Sequence, residues 1–188
     1  MNFQRTASAD DAAAIREGIW RELGLACRDR GHDWRTPVLA SAGLDGAPQA
    51  RTVVLREVVP GEARLVVYSD RRSPKVAELL SEPRAALVFW SRRLGWQLRA
   101  VVVASVEVDG ENVRTAWSRI AATGAAGDYL APAAPGAPLV QAARAPATAH
   151  QLCVVAMRIE QMDWLALAAD GNHRRIRFSG ERAEWLVP

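Results

Sequence analysis

The sequence of 188 residues predicts a mainly β fold with flanking helices, in which most strands run antiparallel. Short segments rich in β-branched and apolar residues follow one another closely, and turn residues such as glycine, proline, asparagine and aspartate separate them. Only one short helix interrupts the first group of strands, which favours a barrel over a repeating β-α-β array. The length suits a single domain, residues 1–188, with its own hydrophobic core.

Eight or so strands, without an internal repeat, make up this predicted barrel. They cover residues 36–42, 50–58, 65–69, 85–90, 97–108, 152–159, 164–167, 174–178 and 184–187. An N-terminal helix within residues 1–31 begins at a cap supplied by Asp10 or Asp11. Its apolar positions recur at helical spacing: Ile15, Ile19, Trp20, Leu23 and Cys27. Two further helices are predicted, one from Ser73 to Glu82 and one over residues 111–120.

Residues 121–149 differ from the rest of the chain because alanine, proline and glycine dominate them. This composition predicts a surface loop, or a poorly ordered linker, within the single domain. A lid, a dimer contact and a disordered loop all remain open for it.

Composition excludes several classes of function. The formal charge is 24 − 21 = +3, and the arginines are spread along the chain, so no stripe for nucleic acid is predicted. No apolar run approaches a membrane span, and residues 1–5 lack the apolar core of a signal peptide, so a cytoplasmic protein without membrane contact is expected. Cys27 and Cys153 have neither the number nor the spacing of a metal site, and we read both as buried apolar residues.

Lys75 is the single lysine among 24 basic residues, and it follows Ser73-Pro74. Ser73 is a typical helix N-cap and Pro74 a typical first helical residue, so Lys75 projects from the first turn of a helix. Its ammonium then lies beside unpaired backbone N–H groups and near Arg71 and Arg72, an arrangement that suits a phosphate. The alternative is a lysine that only follows a capped turn.

Three other segments carry polar residues that a ligand could use. Arg51 and Arg56 stand five residues apart on one predicted strand and face opposite sides, so they share a ligand only at a rim; otherwise they are solvated edge charges. Gln97 opens an apolar strand and can both donate to and accept from a heterocycle, or it is simply a polar strand start. Late in the chain come Trp164 and the turn around His173, for which a core tryptophan and a solvated histidine are the alternatives. No Ser–His–Asp order and no glycine-rich phosphate loop is visible.

Taken together, these segments resemble the pyridoxamine 5′-phosphate oxidase family, whose members bind FMN in a split β-barrel. Residues 51–56 resemble the family strand R-x-V-L-L-K, and residues 68–75 resemble its Y-T…S-x-K segment. Pro83 to Phe89 and then Gln97 match the N-P…F…Q stretch, and residues 164–175 resemble the late W…H-x-R elements. The motifs occur in order over about residues 36–188.

The resemblance implies a homodimer with FMN at its interface. Arg51, Ser73 and Lys75 would hold the phosphate with Arg72 close by, and Gln97 would contact the flavin edge. Val67, Tyr68 and Ser69 would line the ribityl chain and ring, and Trp164 and Arg175 would come from the second subunit. The residues assigned to the cofactor are Arg51, Thr52, Val53, Val54, Val67, Tyr68, Ser69, Arg72, Ser73, Lys75, Gln97, Trp164 and Arg175.

Departures from the family pattern bear on the substrate. Arg56 stands where the family has a substrate-binding lysine, and Gly171 stands where it has an arginine, although His173 remains. The family's tyrosine, arginine and serine clamp cannot be placed within residues 114–130, where Tyr129 is a remnant at most. Arg56 and His173 are therefore the candidate catalytic residues.

Three functions follow from this resemblance. The first is an FMN-dependent oxidoreductase acting on a small molecule other than pyridoxamine 5′-phosphate; the second is a genuine pyridoxamine 5′-phosphate oxidase. The third is a flavin-binding module without turnover. A deazaflavin stays open as the cofactor, and His32, His150 and His173 are haem-ligand candidates only because they are histidines.

Overall fold

The computed structural model describes residues 9–139 and 149–188. Its helices are α1 (Ala9–Arg28), α2 (Pro74–Ser81), α3 (Glu111–Ile120) and the short α4 (Gly127–Leu130). Its strands are β1 (Val38–Ala42), β2 (Pro48–Thr52), β3 (Leu55–Val59), β4 (Arg64–Asp70), β5 (Arg84–Ser91), β6 (Trp96–Glu107), β7 (Leu152–Ala166), β8 (Arg174–Ser179) and β9 (Arg182–Leu186).

The strands form one antiparallel sheet that is not closed, which confirms the predicted mainly β, split-barrel fold. The sheet runs in the order β2-β1-β5-β6-β7-β4-β3, and β8 and β9 extend it from β7. β2 and β3 lie at opposite ends of this order, yet only Val53 and Val54 separate them along the chain. The sheet must therefore curl until its two ends come close, although the ends do not pair with each other.

The inner side of the curled sheet surrounds the main hydrophobic core. On β6 the buried residues Leu98, Ala100 and Val102 point into this core, and the residues between them face the outer side. α1 packs Ile19 and Leu23 against the core. α2 contributes its own apolar residues Val76 and Leu79.

A second, smaller cluster lies on the outer side of β4 and β7. α3 buries Val113, Ala116 and Ile120 there, against Val66 of β4 and Val154 of β7. The helical spacing of these α3 residues explains why this segment folds as an amphipathic helix. None of the described helices is long and apolar enough to cross a bilayer.

Several predicted boundaries are corrected by the structure. The predicted strand 50–58 is two strands separated by Val53 and Val54. The backbone N–H of Val53 still donates to the carbonyl oxygen of Pro37, but proline has no N–H to return the bond, so the ladder with β1 ends there. The predicted strands 152–159 and 164–167 are one strand, β7, which bends around a bulge opposite Val101 and Val102. Asp10 and Asp11 lie inside the first turn of α1, so neither is its cap.

The region 121–149 is only partly a loop. Its first residues form a 3-10 turn, Gly124–Ala126, followed directly by α4. Residues 140–148 lie outside the described residues, so the prediction for them stays a prediction.

Candidate functional site

The cationic pocket lies where the ends of the open sheet approach each other, at the start of α2. It combines residues from β1, β2, β4 and α2, which share a position facing the inner side of the barrel. They are Ser41, Arg51, Ser69, Ser73, Lys75 and Glu78.

Lys75 contributes a half-buried ammonium group to this pocket. Its Nζ donates to the hydroxyl oxygens of Ser69 at 3.2 Å and Ser73 at 3.3 Å. Within residues 9–139 and 149–188, no carboxylate makes an ion pair with it. Burial, and secondarily the nearby positive charge of Arg51, lower the pKa of Lys75 below its ordinary value of 10.5. A half-buried ammonium that contacts only neutral hydroxyls suits an incoming anion.

Ser73 occupies the N-cap position of α2, as predicted, and is 1% exposed. Its hydroxyl makes no capping bond to the helix backbone; it lies 3.0 Å from the hydroxyl of Ser69 instead. The two hydroxyls therefore point into the pocket together with Lys75. Both can donate to a ligand oxygen at the positive end of the helix dipole.

Arg51 reaches the pocket from β2 because it pairs with the core residue Leu39 of β1 and so faces the inner side. Its Nη2 lies 2.8 Å from a carboxylate oxygen of Glu78. Its Nη1 donates to the hydroxyl of Ser41, which in turn donates to Glu78 at 2.6 Å. The Arg51 side chain keeps 22% of its surface exposed, so part of the guanidinium remains accessible.

The floor of the pocket is apolar. Cys153 of β7 pairs with Ser69 and is fully buried, as expected for a small apolar residue. Burial raises the pKa of its thiol to about 11, so the thiol is protonated at neutral pH. Cys27, the other cysteine, is half-buried and packs against the main core.

Arg72 is directed away from the pocket. Its guanidinium grips the Asp70 carboxylate with Nε at 3.0 Å and Nη2 at 2.6 Å. It also donates to the carbonyl oxygens of Ala131, Pro132 and Ala133 at 2.9, 3.2 and 3.3 Å. In this structure Arg72 therefore fastens the segment after α4 to the end of β4.

The first residues after Arg51 contribute no charged group. Thr52 ends β2, Val53 is buried in the main core, and Val54 is half-buried in the link to β3. The side chain of Val67, on β4, is likewise part of the main core, which leaves only the backbone of this residue for other contacts. Their predicted contacts with a cofactor stay predictions.

Arg56 lies on the outer side with two tyrosines. Its guanidinium carbon is 5.6 Å from the centre of the Tyr68 ring, and its Nε is buried without a hydrogen-bond partner. Burial raises the pKa of the Tyr129 hydroxyl, and the adjacent Arg56 guanidinium partly offsets that rise. Arg51 and Arg56 thus face different sides, and the structure brings Arg56 to the one tyrosine that the sequence suggested as a clamp remnant.

Gln97 and Arg175 also face the outer side, where both are in register with Leu165 of β7. Arg175 also belongs to a group of charged residues, called here the outer cluster, which consists of Arg99, Asp163 and Arg175. Asp163 is 4% exposed and accepts from Arg99 at 2.7 Å and from Arg175 at 3.0 and 2.8 Å. Within one chain, the structure does not bring Gln97 or Arg175 into the cationic pocket.

Trp164 lies in the core, as the alternative interpretation of the sequence had it. It is 3% exposed, belongs to the main core, and meets the ring of Trp96 edge-on with centroids 5.1 Å apart. Strand alternation puts its neighbours Asp163 and Leu165 on the outer side. Within one chain the Trp164 indole is therefore covered, and its predicted contact with a cofactor across a dimer interface stays a prediction.

The three histidines lie in three separate places. His173 sits in the exposed turn between β7 and β8, where its Nδ1 accepts from the backbone N–H of Ala168 at 3.1 Å. His32 contacts the buried carboxylate of Glu22, and His150 stacks on Trp117 with ring centroids 4.3 Å apart. In the described residues, no group of three or more histidine, cysteine or acidic side chains could hold a metal ion.

Sequence reasoning missed Ser41, Glu78 and Asp163. Glu78 could have been found, because it follows Lys75 by three residues and stands between Val76 and Leu79, the two apolar residues that α2 buries. A carboxylate at such a core-facing position requires a cation nearby. Ser41 carries no such signal in the sequence.

The fold and the pocket together define a class: an open antiparallel barrel with a group of cationic and hydroxyl side chains beside a helix start. A family model described as pyridoxamine 5′-phosphate oxidase matches residues 26–163. The chain therefore belongs to the pyridoxamine 5′-phosphate oxidase family.

Curated relatives match part of the chain. Identity is 48% over 61 residues to the pyridoxine/pyridoxamine 5′-phosphate oxidase of Thermosynechococcus vestitus, covering 32% of this chain and 28% of that protein. It is 34% over 107 residues to the enzyme of the same description from Chromohalobacter salexigens, covering 55% of this chain and 49% of that protein. The matches thus span no more than about half of these relatives.

Solved structures share the fold over nearly the whole chain. A pyridoxamine 5′-phosphate oxidase-related, FMN-binding protein of Nostoc punctiforme has a TM-score of 0.72 at 20% identity, covering 92% of this chain and 97% of that one. PhzG of Burkholderia lata, solved with tetrahydrophenazine-1-carboxylic acid, has a TM-score of 0.70 at 18% identity, covering 99% and 96%. A heme-binding protein of Mycobacterium smegmatis is similar at a TM-score of 0.53 and 17% identity, covering 85% and 58%.

Proposed function

We propose that the chain is an FMN-dependent oxidoreductase that acts on a small molecule other than pyridoxamine 5′-phosphate. One observation carries the proposal: the Lys75 ammonium is half-buried, and among the described residues its hydrogen-bond partners are the hydroxyls of Ser69 and Ser73. Desolvating a cation without an anionic partner is unfavourable unless a ligand supplies the opposite charge. A nucleotide phosphate is the ligand that matches family membership.

In this proposal, Lys75, Ser69, Ser73 and the accessible part of Arg51 hold the FMN phosphate. A phosphate dianion needs several charge-assisted donors, and these side chains supply them from three elements of the fold. When bound, FMN supplies the hydride chemistry of its ring, while the protein orients the ring. Arg72, which the resemblance places close by the phosphate, contacts Asp70 and the adjacent loop in this structure, and its contact with the cofactor stays a prediction.

A homodimer is proposed because the described part of one chain groups phosphate-binding side chains away from the two surface clefts described next. Two surface clefts have volumes of about 140 and 220 Å³, and neither contains a residue of the cationic pocket. Both are smaller than ordinary ligand sites of about 300–1,000 Å³. The outer side exposes Val38, Trp90 and Val101 near Gln97, and a second copy could cover this apolar surface.

Arg56 is the proposed substrate contact. Its guanidinium carbon lies 5.6 Å from the centre of the Tyr68 ring, and a guanidinium suits an anionic group on the substrate. His173 is the second candidate, but its Nδ1 is used in the turn, which leaves Nε2 for a ligand. The missing arginine at Gly171 is the reason to favour a substrate that carries fewer anionic groups than pyridoxamine 5′-phosphate.

An absorption spectrum and mass spectrometry of the ligand released from purified protein test the cofactor. We expect a flavin spectrum and the mass of FMN, and binding of added FMN well above that of riboflavin, which lacks the phosphate. Protein that stays colourless after incubation with FMN would overturn the proposal. If the released ligand is a deazaflavin or a haem, the proposed cofactor is wrong, whereas the description of the fold still holds.

A genuine pyridoxamine 5′-phosphate oxidase is the second candidate, because Arg56 and Tyr129 lie together as two members of a substrate clamp would. Oxygen-dependent formation of pyridoxal 5′-phosphate distinguishes it from the first proposal. Bound FMN that neither NADH, NADPH nor amines reduce would instead indicate a flavin-binding module without turnover.

A further inference from the structure

Glu78 is a buried carboxylate in the middle of a pocket built for an anion. It is 5% exposed and accepts hydrogen bonds from Ser41 at 2.6 Å and from Arg51 at 2.8 Å. Glu78 also lies near Lys75, because the two residues are three apart on α2 and therefore neighbours on the helix surface. The pocket therefore holds two cations and one anion before any ligand arrives.

This arrangement opposes tight binding of a phosphate monoester. At neutral pH such a group carries about −1.5 to −2 charges, whereas the three ionised side chains sum to one positive charge. The guanidinium of Arg51 has five N–H donors, and the contacts to Ser41 and Glu78 use two of them. Arg51 can thus bind the Glu78 carboxylate and a phosphate at the same time. These two negative groups, held by one guanidinium, then repel each other.

We propose that Glu78 is a specificity-determining counter-anion that limits how strongly this pocket prefers a phosphorylated flavin over an unphosphorylated one. The proposal rests on the proposed function, since it assumes that the pocket takes a flavin phosphate. In the ligand-free protein Glu78 forms an ion pair with Arg51. In the bound protein its negative charge weakens the binding of the phosphate. The cofactor is therefore exchangeable, not permanently held.

A purely structural role for Glu78 makes different predictions. Its contacts tie α2 to β1 and β2, so removing them would loosen the pocket for every flavin. A counter-anion instead affects only ligands that carry the phosphate. The ratio of the riboflavin Kd to the FMN Kd separates the two roles, because both ligands share the ring and the ribityl chain.

The test is Glu78→Gln, which keeps a hydrogen-bonding side chain of the same size and removes the charge. We expect the riboflavin Kd to stay unchanged and the FMN Kd to fall about tenfold, which corresponds to about 1.4 kcal/mol. Fluorescence titration of the flavin measures both. Glu82→Gln is the matched control, because Glu82 ends the same helix, is paired with Arg84 at the surface and lies outside the pocket; its ratio should equal the wild-type ratio.

An unchanged or lower ratio in Glu78→Gln overturns the proposal. If that variant fails to fold, Glu78→Asp serves instead, since the shorter carboxylate retreats from Arg51 and should raise the ratio by a smaller factor. If the wild-type protein binds no flavin, the proposed function fails but the counter-anion is still testable with inorganic phosphate alone. Phosphate should then raise the Tm of Glu78→Gln more than that of the wild type, and an equal rise refutes the counter-anion.

Discussion

Two regions of the molecule each hold a buried carboxylate beside two cations, and they differ in how the charges pair. In the outer cluster, Asp163 accepts from both Arg99 and Arg175. In the cationic pocket, Glu78 accepts from one cation, Arg51, and from the hydroxyl of Ser41, while Lys75 contacts hydroxyls. In the outer cluster both cations are paired with the carboxylate. In the pocket one cation, Lys75, is not paired with a carboxylate among the described residues.

The pKa shifts express the same difference. Burial raises the pKa of Asp163, but the hydrogen bonds from Arg175 and Arg99 outweigh it, so the net shift is downward from 3.8. Burial lowers the pKa of Lys75, and Arg51 lowers it further. The protein therefore stabilises the charged form at the outer cluster and disfavours it in the pocket, which is expected of a site that a ligand completes.

The largest expected effect comes from removing the unneutralised cation. Lys75→Ala should weaken FMN binding by about 2–3 kcal/mol, or roughly 30- to 160-fold, because a charge-assisted contact to the phosphate is lost. Lys75→Arg should be milder, since it keeps the charge. Flavin fluorescence titration measures both, and riboflavin is the control ligand whose affinity should change little. Equal losses for FMN and riboflavin would show that Lys75 supports the pocket's shape and not the phosphate.

Asp163→Asn breaks the complete cluster and should act on stability. It leaves two arginines without their counter-charge, and because both are partly exposed to water, we expect a loss of about 1–3 kcal/mol in the free energy of unfolding. Urea unfolding at pH 7 measures it. Glu111→Gln is the control, since its pair with Arg114 lies at the surface.

The same cluster should make the wild type sensitive to acid. Asp163 has a lowered pKa in the folded protein, so its contribution is present above pH 3.8 and is lost as pH falls through the lowered value. Asp163→Asn should lack this part of the acid dependence. A variant that keeps the full acid dependence would assign it to other carboxylates.

A smaller effect is expected when FMN binding is measured against pH. The phosphate is a dianion above about pH 7. Lys75 has a lowered pKa in the ligand-free protein, and a bound phosphate favours its charged form and raises that pKa. Affinity should therefore be full below the lowered pKa and decline as pH rises through it towards 10.5. Lys75→Arg should show no such decline, because a guanidinium stays charged throughout this range.

The smallest effect on the cofactor is expected from Arg72→Ala. Because Arg72 holds Asp70 and the carbonyls of residues 131–133, its loss should change FMN affinity by no more than a few-fold and should speed proteolysis of that segment. Limited proteolysis with mass mapping, alongside FMN titration, measures both. A loss of affinity as large as that of Lys75→Ala would restore Arg72 as a phosphate ligand.

The sequence was a good guide where the signal was local. Ser73, Pro74 and Lys75 are consecutive, so the start of α2 and the position of its lysine could be predicted from helix chemistry alone. Glu78 and Ser41 join that site through contacts 27 and 37 residues apart, which no local pattern reports. The composition of the site is therefore a property of the curled sheet.

Trp164 shows a second limit of sequence reasoning. The first residues of β7, from Leu152 to Met157, are buried on both sides of the sheet, so they show no apolar and polar alternation. Without alternation, the sequence does not show which residues of the strand face the inner side of the sheet and which face the outer side. A shift by one residue exchanges the two sides. The bulge in β7, where Glu160 lies between the partners of Val101 and Val102, adds a further shift, so the side on which Trp164 lies could not be predicted from the sequence pattern.

The position of the pocket on the open barrel has a mechanical consequence. Ser41 and Arg51 belong to one end of the sheet order, while Ser69 of β4 belongs to the other, and no ladder of backbone hydrogen bonds joins those ends. A phosphate bound by Arg51, Ser69 and Lys75 would cross-link strands that the backbone leaves separate. Amide hydrogens near that gap, in β2 and β3, would then exchange with solvent more slowly once the nucleotide is in place.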